Sequence, residues 1–200
     1  MAVFKTDDPV ERRGGKLPDG IRFHRGHTWV RPISVDLAFT GATEFAVRFA
    51  GDLTELSLPA EFRYVRVGDP IWTFTSATGR KLTQFAPIGG LILAVNEALL
   101  EDLTQLQDSP YRFGWILCIQ SRSIPRQMRN LLSHQADQVW FDRTCSTMRS
   151  VLGSALRLPA REDAWKPEFG EDFSDEEWES LSLKLFQESA APGPGPKRTG

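Results

Sequence analysis

A mainly β body of the small-barrel or sandwich type, with α-helices appended on its C-terminal side, is the fold class this sequence predicts. Three observations carry it. Between residues 21 and 121, short runs rich in Val, Ile, Phe, Trp and Thr alternate with Gly, Pro and Asp, the pattern of short strands and turns. After residue 124 the apolar spacing changes to i, i+3, i+4. At Ser174 a capping box opens another helix, with Glu177 three residues on.

Residues 1–20 are charged and punctuated by Gly and Pro, and read as a flexible arm. The body, 21–121, offers strands at His27–Ile33, Val35–Phe39, Leu53–Leu58, Ile71–Ser76, Leu82–Ala86, Leu91–Val95 and Trp115–Gln120. Thr43–Ala50 has a helical look, although Phe45, Val47 and Phe49 also alternate as in a strand. Glu97–Leu106 places Leu99, Leu103 and Leu106 at helical spacing. Residues 122–153 form an amphipathic helical extension. Pro125 suits its first turn, and Met128, Leu131, Leu132, Ala136, Val139 and Trp140 form one stripe. Cys145, Met148, Val151 and Leu152 continue it out of phase, which predicts a kink or break near Asp142, and Gly153 is a stop. This stripe is expected to pack on the body, with a partner-binding face as the alternative. Residues 154–173 read as a linker, 174–188 as an acidic capped helix, and 189–200 as a disordered tail. Phe173 and Trp178 stand at the two positions of a hydrophobic staple around the cap.

Composition removes several classes of function. Hydrophobic residues make up 40% of the 200 residues and charged ones 25%, which is globular composition. No run approaches the roughly 20 apolar residues of a membrane span, and no apolar stretch near Met1 suggests a secretory signal. Two cysteines, Cys118 and Cys145, make no disulfide framework and no CxxC; a reducing, cytoplasmic location is expected. The net charge of −2 argues against a nucleic-acid partner. It conceals an asymmetry: residues 162–188 hold ten acids against Lys166 and Lys184, a net of −8, leaving +6 for the rest. An acidic helix of this kind either docks on a basic surface or presents a solvated face.

Four blocks of the body carry a resemblance. They are Phe23–Pro32 (FHRGHTWVRP), Gly41–Pro59 with the Val67-Gly68-Asp69 turn, Phe85–Gly90 (FAPIGG), and Val95–Trp115 with its Pro110-Tyr111 and Gly114-Trp115 ending. In this order and spacing they resemble the glycine cleavage system H proteins. The resemblance implies a barrel-sandwich hybrid of the biotinyl/lipoyl type, in which a tight hairpin projects a lysine. It also implies that amide-linked lipoate on that lysine shuttles an aminomethyl group between partner enzymes, and that the protein catalyses nothing itself.

The lysine is where this sequence departs from the pattern. The hairpin reads Thr75-Ser76-Ala77-Thr78-Gly79-Arg80-Lys81-Leu82. Counting back seven residues from Ala86, as in the family, reaches Gly79, and the acidic position three before it is Ser76. The expected tip is Thr78, Gly79 and Arg80, with Gly79 suited to a positive φ. Lys81 is the alternative attachment point for lipoate, since no other lysine lies between Lys16 and Lys166. A shift of two residues keeps the strand face but moves the amine about 6.6 Å along it. The favoured reading is an unmodified tip with no cofactor.

Other candidates are weaker. His24 and His27 are expected on opposite sides of one strand, and His134 has no ligand neighbours at metal spacing, so no metal is expected. Cys118 reads as a buried small hydrophobe; Cys145 is a candidate for exposure without an activating base. No catalytic motif is present. The segment Arg126–Ser133 resembles a helix found in a divergent H-like group without a clear carrier lysine. The expectation is a non-catalytic H-like subunit acting as a binding or assembly module for other protein subunits, including components of the glycine cleavage or related multienzyme systems. The alternative is an active carrier of aminomethyl groups or sulfur modified at Lys81. Trp178, Leu181 and Leu185, along one side of the acidic helix, are the partner-binding candidates.

Overall fold

A computed structural model describes residues 17–133, 137–153 and 165–190. The body opens with β1 (Arg22–His24), β2 (Thr28–Pro32) and β3 (Leu37–Ala42), followed by α1 (Glu44–Ala50). Next come β4 (Leu53–Ser57), β5 (Tyr64–Val65), the hairpin β6 (Pro70–Ser76) and β7 (Lys81–Phe85), and β8 (Gly90–Val95). Two short helices, α2 (Ala98–Glu101) and α3 (Thr104–Asp108), lead to β9 (Leu117–Gln120). Then follow α4 (Ile124–Met128), α5 (Asp137–Leu152), a 3-10 turn (Phe169–Asp172) and α6 (Asp175–Ser182), which runs on as a π-helical stretch (Leu183–Glu188).

The strands form two antiparallel sheets, one in the order β1-β2-β3-β9-β8-β5 and one in the order β4-β6-β7. Alternation puts Val30, Ala38, Ile119, Ile92 and Val65 of the large sheet into one core with Leu56, Phe74 and Leu82 of the small sheet. A second cluster contains Phe23, Trp29, Phe39 and Cys118 together with Trp140. The mainly β class and the appended helices therefore stand as predicted.

The seven predicted strands are present, with ends moved by up to three residues. β1 and β5 were not expected, because three and two residues are too few to show alternation. Thr43–Ala50 resolves as helix: the Thr43 hydroxyl accepts from the Ala46 amide at 3.3 Å, capping the first turn. Phe45 and Phe49, four apart, then share one face, both buried.

The amphipathic extension is corrected. It is not one helix bent near Asp142. It ends its first piece at Met128, and Leu132 instead pairs with Phe23, each amide donating to the other's carbonyl at 2.9 and 2.8 Å. The change of apolar phase marks two separate helices, so Val139 is exposed while Trp140, Phe141, Cys145 and Met148 are buried. Cys145 is thus not the exposed thiol expected.

The C-terminal reading changes most. Trp178, Leu181 and Leu185, the partner-binding candidates, are 5%, 0% and 2% exposed. They belong to the chain's own main core, with Trp165, Phe169 and Phe186. Trp178 stacks on Phe49 at 5.5 Å between centroids, and Phe169 packs tilted against Phe45 at 5.4 Å. Apolar burial outweighs the reach of a polar linker, because each such side chain contributes about 1.5–3 kcal/mol when buried. The later part of the expected linker, from Trp165, is packed, and so is Ala190 at the start of the expected tail. Leu17, in the expected arm, packs on the second cluster. The rest of the arm (1–16), residues 154–164 and the tail from 191 lie outside the described residues.

Gly170 shows how tight the joint is. A Cβ there would sit 1.8 Å from the Phe49 carbonyl oxygen, so only glycine lets the 3-10 turn approach the end of α1.

Truncation after Ala160 strips this aromatic layer from Phe45 and Phe49. The expected outcome is a loss of stability comparable to that of a whole domain, about 5 kcal/mol or more, with dye-binding apolar surface exposed. A melting temperature equal to that of the full chain would show that the layer is only lightly attached.

Candidate functional site

The β6–β7 hairpin is the site the sequence singles out. Phe74 pairs with Leu82 and Thr75 with Lys81. The turn closes by the Ser76 amide donating to the Arg80 carbonyl at 3.0 Å and the Gly79 amide to the Ser76 carbonyl at 2.8 Å. Gly79 has φ +81°, a conformation that favours glycine. Nothing lies within 4 Å of where its Cβ would be. Ala77, Thr78 and Gly79 are exposed, whereas Ser76 is buried, its hydroxyl 2.8 Å from that of Thr78.

Gly79, the position the resemblance aligns with the carrier lysine, projects no side chain, so that residue itself does not fit an amide-linked lipoyl arm. Lys81 is exposed. It is the first residue of β7, beside buried Leu82, so alternation directs it to the opposite face of the small sheet from the core. The structure thus separates an empty tip from an amine on the strand flank.

Arg80 gives the tip its other character. Its guanidinium donates to the Gly170 carbonyl at 2.9 Å, to the Phe173 carbonyl at 2.7 Å and to the Asp175 carboxylate at 2.7 and 3.2 Å. It also lies over the Trp178 ring, 5.7 Å from the centroid, a favourable cation–π position. Arg80 thereby ties the hairpin to the segment before α6. Asp175 is placed for this by the capping box, in which Ser174 accepts from the Glu177 amide and Glu177 accepts from the Ser174 amide. Of the candidate residues, Thr78, Gly79, Arg80 and Trp178 thus meet at one end of the molecule, while Leu181 and Leu185 lie beneath α6 in the core. The clamp was not readable from sequence, since its partners are ninety or more residues away and two of its acceptors are backbone carbonyls.

His24 and His27 are structural. His24 ends β1, and His27 follows in the turn with φ +58°, so they do not share a strand as expected. His24 Nδ1 accepts from the Gly26 amide at 3.2 Å. His27 is enclosed by Phe45, Trp140 and Phe186 at 4.3, 4.5 and 5.2 Å between centroids. Burial lowers its pKa to about 3, assisted by His24, and burial together with Arg25 lowers that of His24 to about 4. Among the described residues no group of three or more His, Cys, Asp or Glu is placed to hold a metal ion; His134 lies outside them. Cys118 and Cys145 are free and buried, and burial pushes both thiols up, Cys118 to about 11. Neither is a poised nucleophile. Among the described residues no helix is long and apolar enough to cross a membrane.

Residues 21–142 match the family model described as glycine cleavage H-protein. The chain belongs to the glycine cleavage H-protein family.

Among its relatives, the glycine cleavage system H protein of Magnetococcus marinus is 30% identical over 71% of this chain and 99% of its own length. That of Coprothermobacter proteolyticus is 29% identical over 52% and 82%. A crystal structure of the H protein from Mycobacterium marinum superposes with a TM-score of 0.54, at 22% identity, over 64% of this chain and 99% of that one. It shows the barrel-sandwich hybrid fold. H proteins have no catalytic activity of their own, and the absence of an enzymatic site predicted for this chain follows from its family. The Magnetococcus and Mycobacterium proteins are covered almost end to end, and the family match stops at residue 142. The segment that supplies the partners of Arg80 thus lies beyond it.

Two outcomes test the local chemistry. Arg80→Ala should cost about 2 kcal/mol in urea unfolding, the scale of hydrogen bonds from a charged group. Asp175→Asn should cost under about 1 kcal/mol, because Asp175 is 87% exposed and water screens the pair. Acid should also weaken the fold. The unfolded chain protonates these histidines near pH 6.5 and the folded chain only near pH 4 and 3, so stability falls as pH drops through that window, by up to about 1.4 kcal/mol per pH unit for each proton. His27→Asn, which tolerates positive φ, should flatten that slope; an unchanged slope would move its origin to the carboxylates.

Proposed function

We propose that this chain is a non-catalytic H-protein-like subunit that carries no lipoate at the motif position and acts as a binding or assembly module for other proteins. The observation that carries this reading is Gly79. An H protein acts through a lysine at that point, and here the position has φ +81° and no side chain. The Arg80 tether supports the same reading. A carrier hairpin presents its arm to one enzyme after another, whereas this tip is held through its neighbour by hydrogen bonds to the C-terminal segment. The partners in this reading are protein components of a glycine cleavage or related multienzyme system, in a reducing cytoplasmic setting that suits two free thiols.

A second reading keeps the carrier function and moves it to Lys81. Its support is that Lys81 is exposed and faces the partly buried hydroxyl residues Thr75 and Thr83 of the outer sheet surface. A ligase that reads the tip of a hairpin would find the amine two residues inside the turn.

Incubation with a lipoate ligase, ATP and lipoate, followed by intact mass, separates the two. The expected result is an unmodified native chain and partial labelling of Gly79→Lys, alone or with Ser76→Glu. The new lysine meets no neighbour, and its strain in a left-handed conformation is about 1–2 kcal/mol. Efficient labelling of the native chain that disappears in Lys81→Arg would establish the carrier reading instead.

A further inference from the structure

Away from the hairpin, the large sheet ends on β5, which pairs only with β8 among the described residues. From residue 60 to residue 67 every side chain is exposed except Val65, which anchors the segment in the core. Two of the exposed residues are aromatic: Phe62 is 69% and Tyr64 67% exposed. Phe62 adopts φ +59°, an unfavourable conformation for a bulky residue. Holding a large apolar side chain in water by a strained backbone costs stability and gives the isolated chain nothing in return.

The surroundings are basic. Arg63 and Arg66 flank Tyr64 on the same segment. The backbone of Arg66 lies against Gly89, where a Cβ would come within 3.5 Å of it. Gly89 is also gripped by the Gln127 side chain, which accepts from its amide at 2.7 Å and donates to its carbonyl at 3.0 Å. That grip brings Arg126 and Arg122 to the same end of the sheet, both exposed. None of these four arginines has a carboxylate partner among the described residues. The nearby acids are occupied locally: Glu61, beside Phe62, accepts from the Val95 amide at 3.2 Å, Asp69 accepts from the Arg66 amide and Asp36 from the Ser34 hydroxyl.

We propose that this edge is a docking site for an extended, acidic segment of another protein, with apolar side chains alternating among its carboxylates. The open side of β5 suits an added strand, Phe62 and Tyr64 supply apolar area, and Arg63, Arg66, Arg122 and Arg126 supply complementary charge. Arginine's planar fork matches carboxylates in two-point contacts. The site does not depend on whether the hairpin carries lipoate.

A fluorescent peptide of about a dozen residues alternating Glu with Val is the probe, measured by anisotropy against the full chain. Binding should weaken at least about tenfold in Arg66→Glu/Arg126→Glu and fall steeply with salt. Phe62→Gly relieves the positive φ, so it should weaken binding while leaving the melting temperature equal or higher. A peptide with Gln in place of Glu should not bind. The proposal is overturned if native and charge-reversed chains bind alike, or if oligo(dT) binds and the acidic peptide does not. It is also overturned if sedimentation shows the native chain self-associating through this edge. A change in amide exchange of residues 1–16 in Arg66→Glu would assign the edge to the chain's own N-terminal segment and equally overturn it.

Discussion

The stacking of α1 against the C-terminal aromatic residues is the constraint on which the rest of the molecule depends. Phe45 and Phe49 project from one face of a seven-residue helix, too short to be stable alone. On one side they meet the sheets, and on the other Trp165, Phe169, Trp178 and Phe186. Arg48, between them, reinforces the joint by donating to the Trp165 carbonyl while pairing with Glu44. His27 extends the same layer toward Trp140 and Thr144 of α5, its Nε2 3.5 Å from the Thr144 hydroxyl. One aromatic layer thus fastens both helical additions to the β body, and it tolerates an imidazole only as the neutral ring.

The hairpin inherits its restraint from that joint. Arg80 finds carbonyls at Gly170 and Phe173 because the 3-10 turn has been drawn against α1, an approach that Gly170 alone permits. The Asp175 carboxylate adds charge, but its exposure means that the carbonyls and the Trp178 face do more of the holding. Restraint of this kind holds the turn against the C-terminal segment from one side, through Arg80 alone, and leaves Ala77, Thr78 and Gly79 exposed.

Much of the body was legible because strand alternation and turn residues are local signals. The seven longer strands, Gly79 at the tip and the Ser174 capping box are all written within a few residues of where they act. Trp178, Leu181 and Leu185 show the limit. Their spacing correctly announced a buried face, but periodicity says only that a face is covered, not by what. The aromatic residues that cover it, Phe45 and Phe49, are more than a hundred residues earlier in the chain. The polar composition before α6 suggested reach, yet Trp165 and Phe169 sit inside that segment and outweigh it. The break between α4 and α5 failed to show for a related reason: Leu131 and Leu132 fit a helical stripe as well as they fit a strand bridge, and only the pairing of Leu132 with Phe23 decides.

Folding the acidic helix onto the body also changes how the charge is distributed. Among the described residues, the −8 carried by residues 162–188 is compensated where Arg80 meets Asp175 and Lys166 meets Asp172. Glu171, Glu176 and Glu179 remain exposed. Arg63 and Arg66 flank β5 of the large sheet, whereas the hairpin that meets the acidic segment belongs to the small sheet, so this basic pair and the acidic helix are attached to different sheets although the total charge is near neutral. A protein built this way feels a partner's field as a dipole before contact and can be turned by it. Packing thereby fixes the acidic surface in place on the β body, which a flexible acidic tether would not have done. That rigidity comes from the aromatic joint, which makes the appended segment part of the fold.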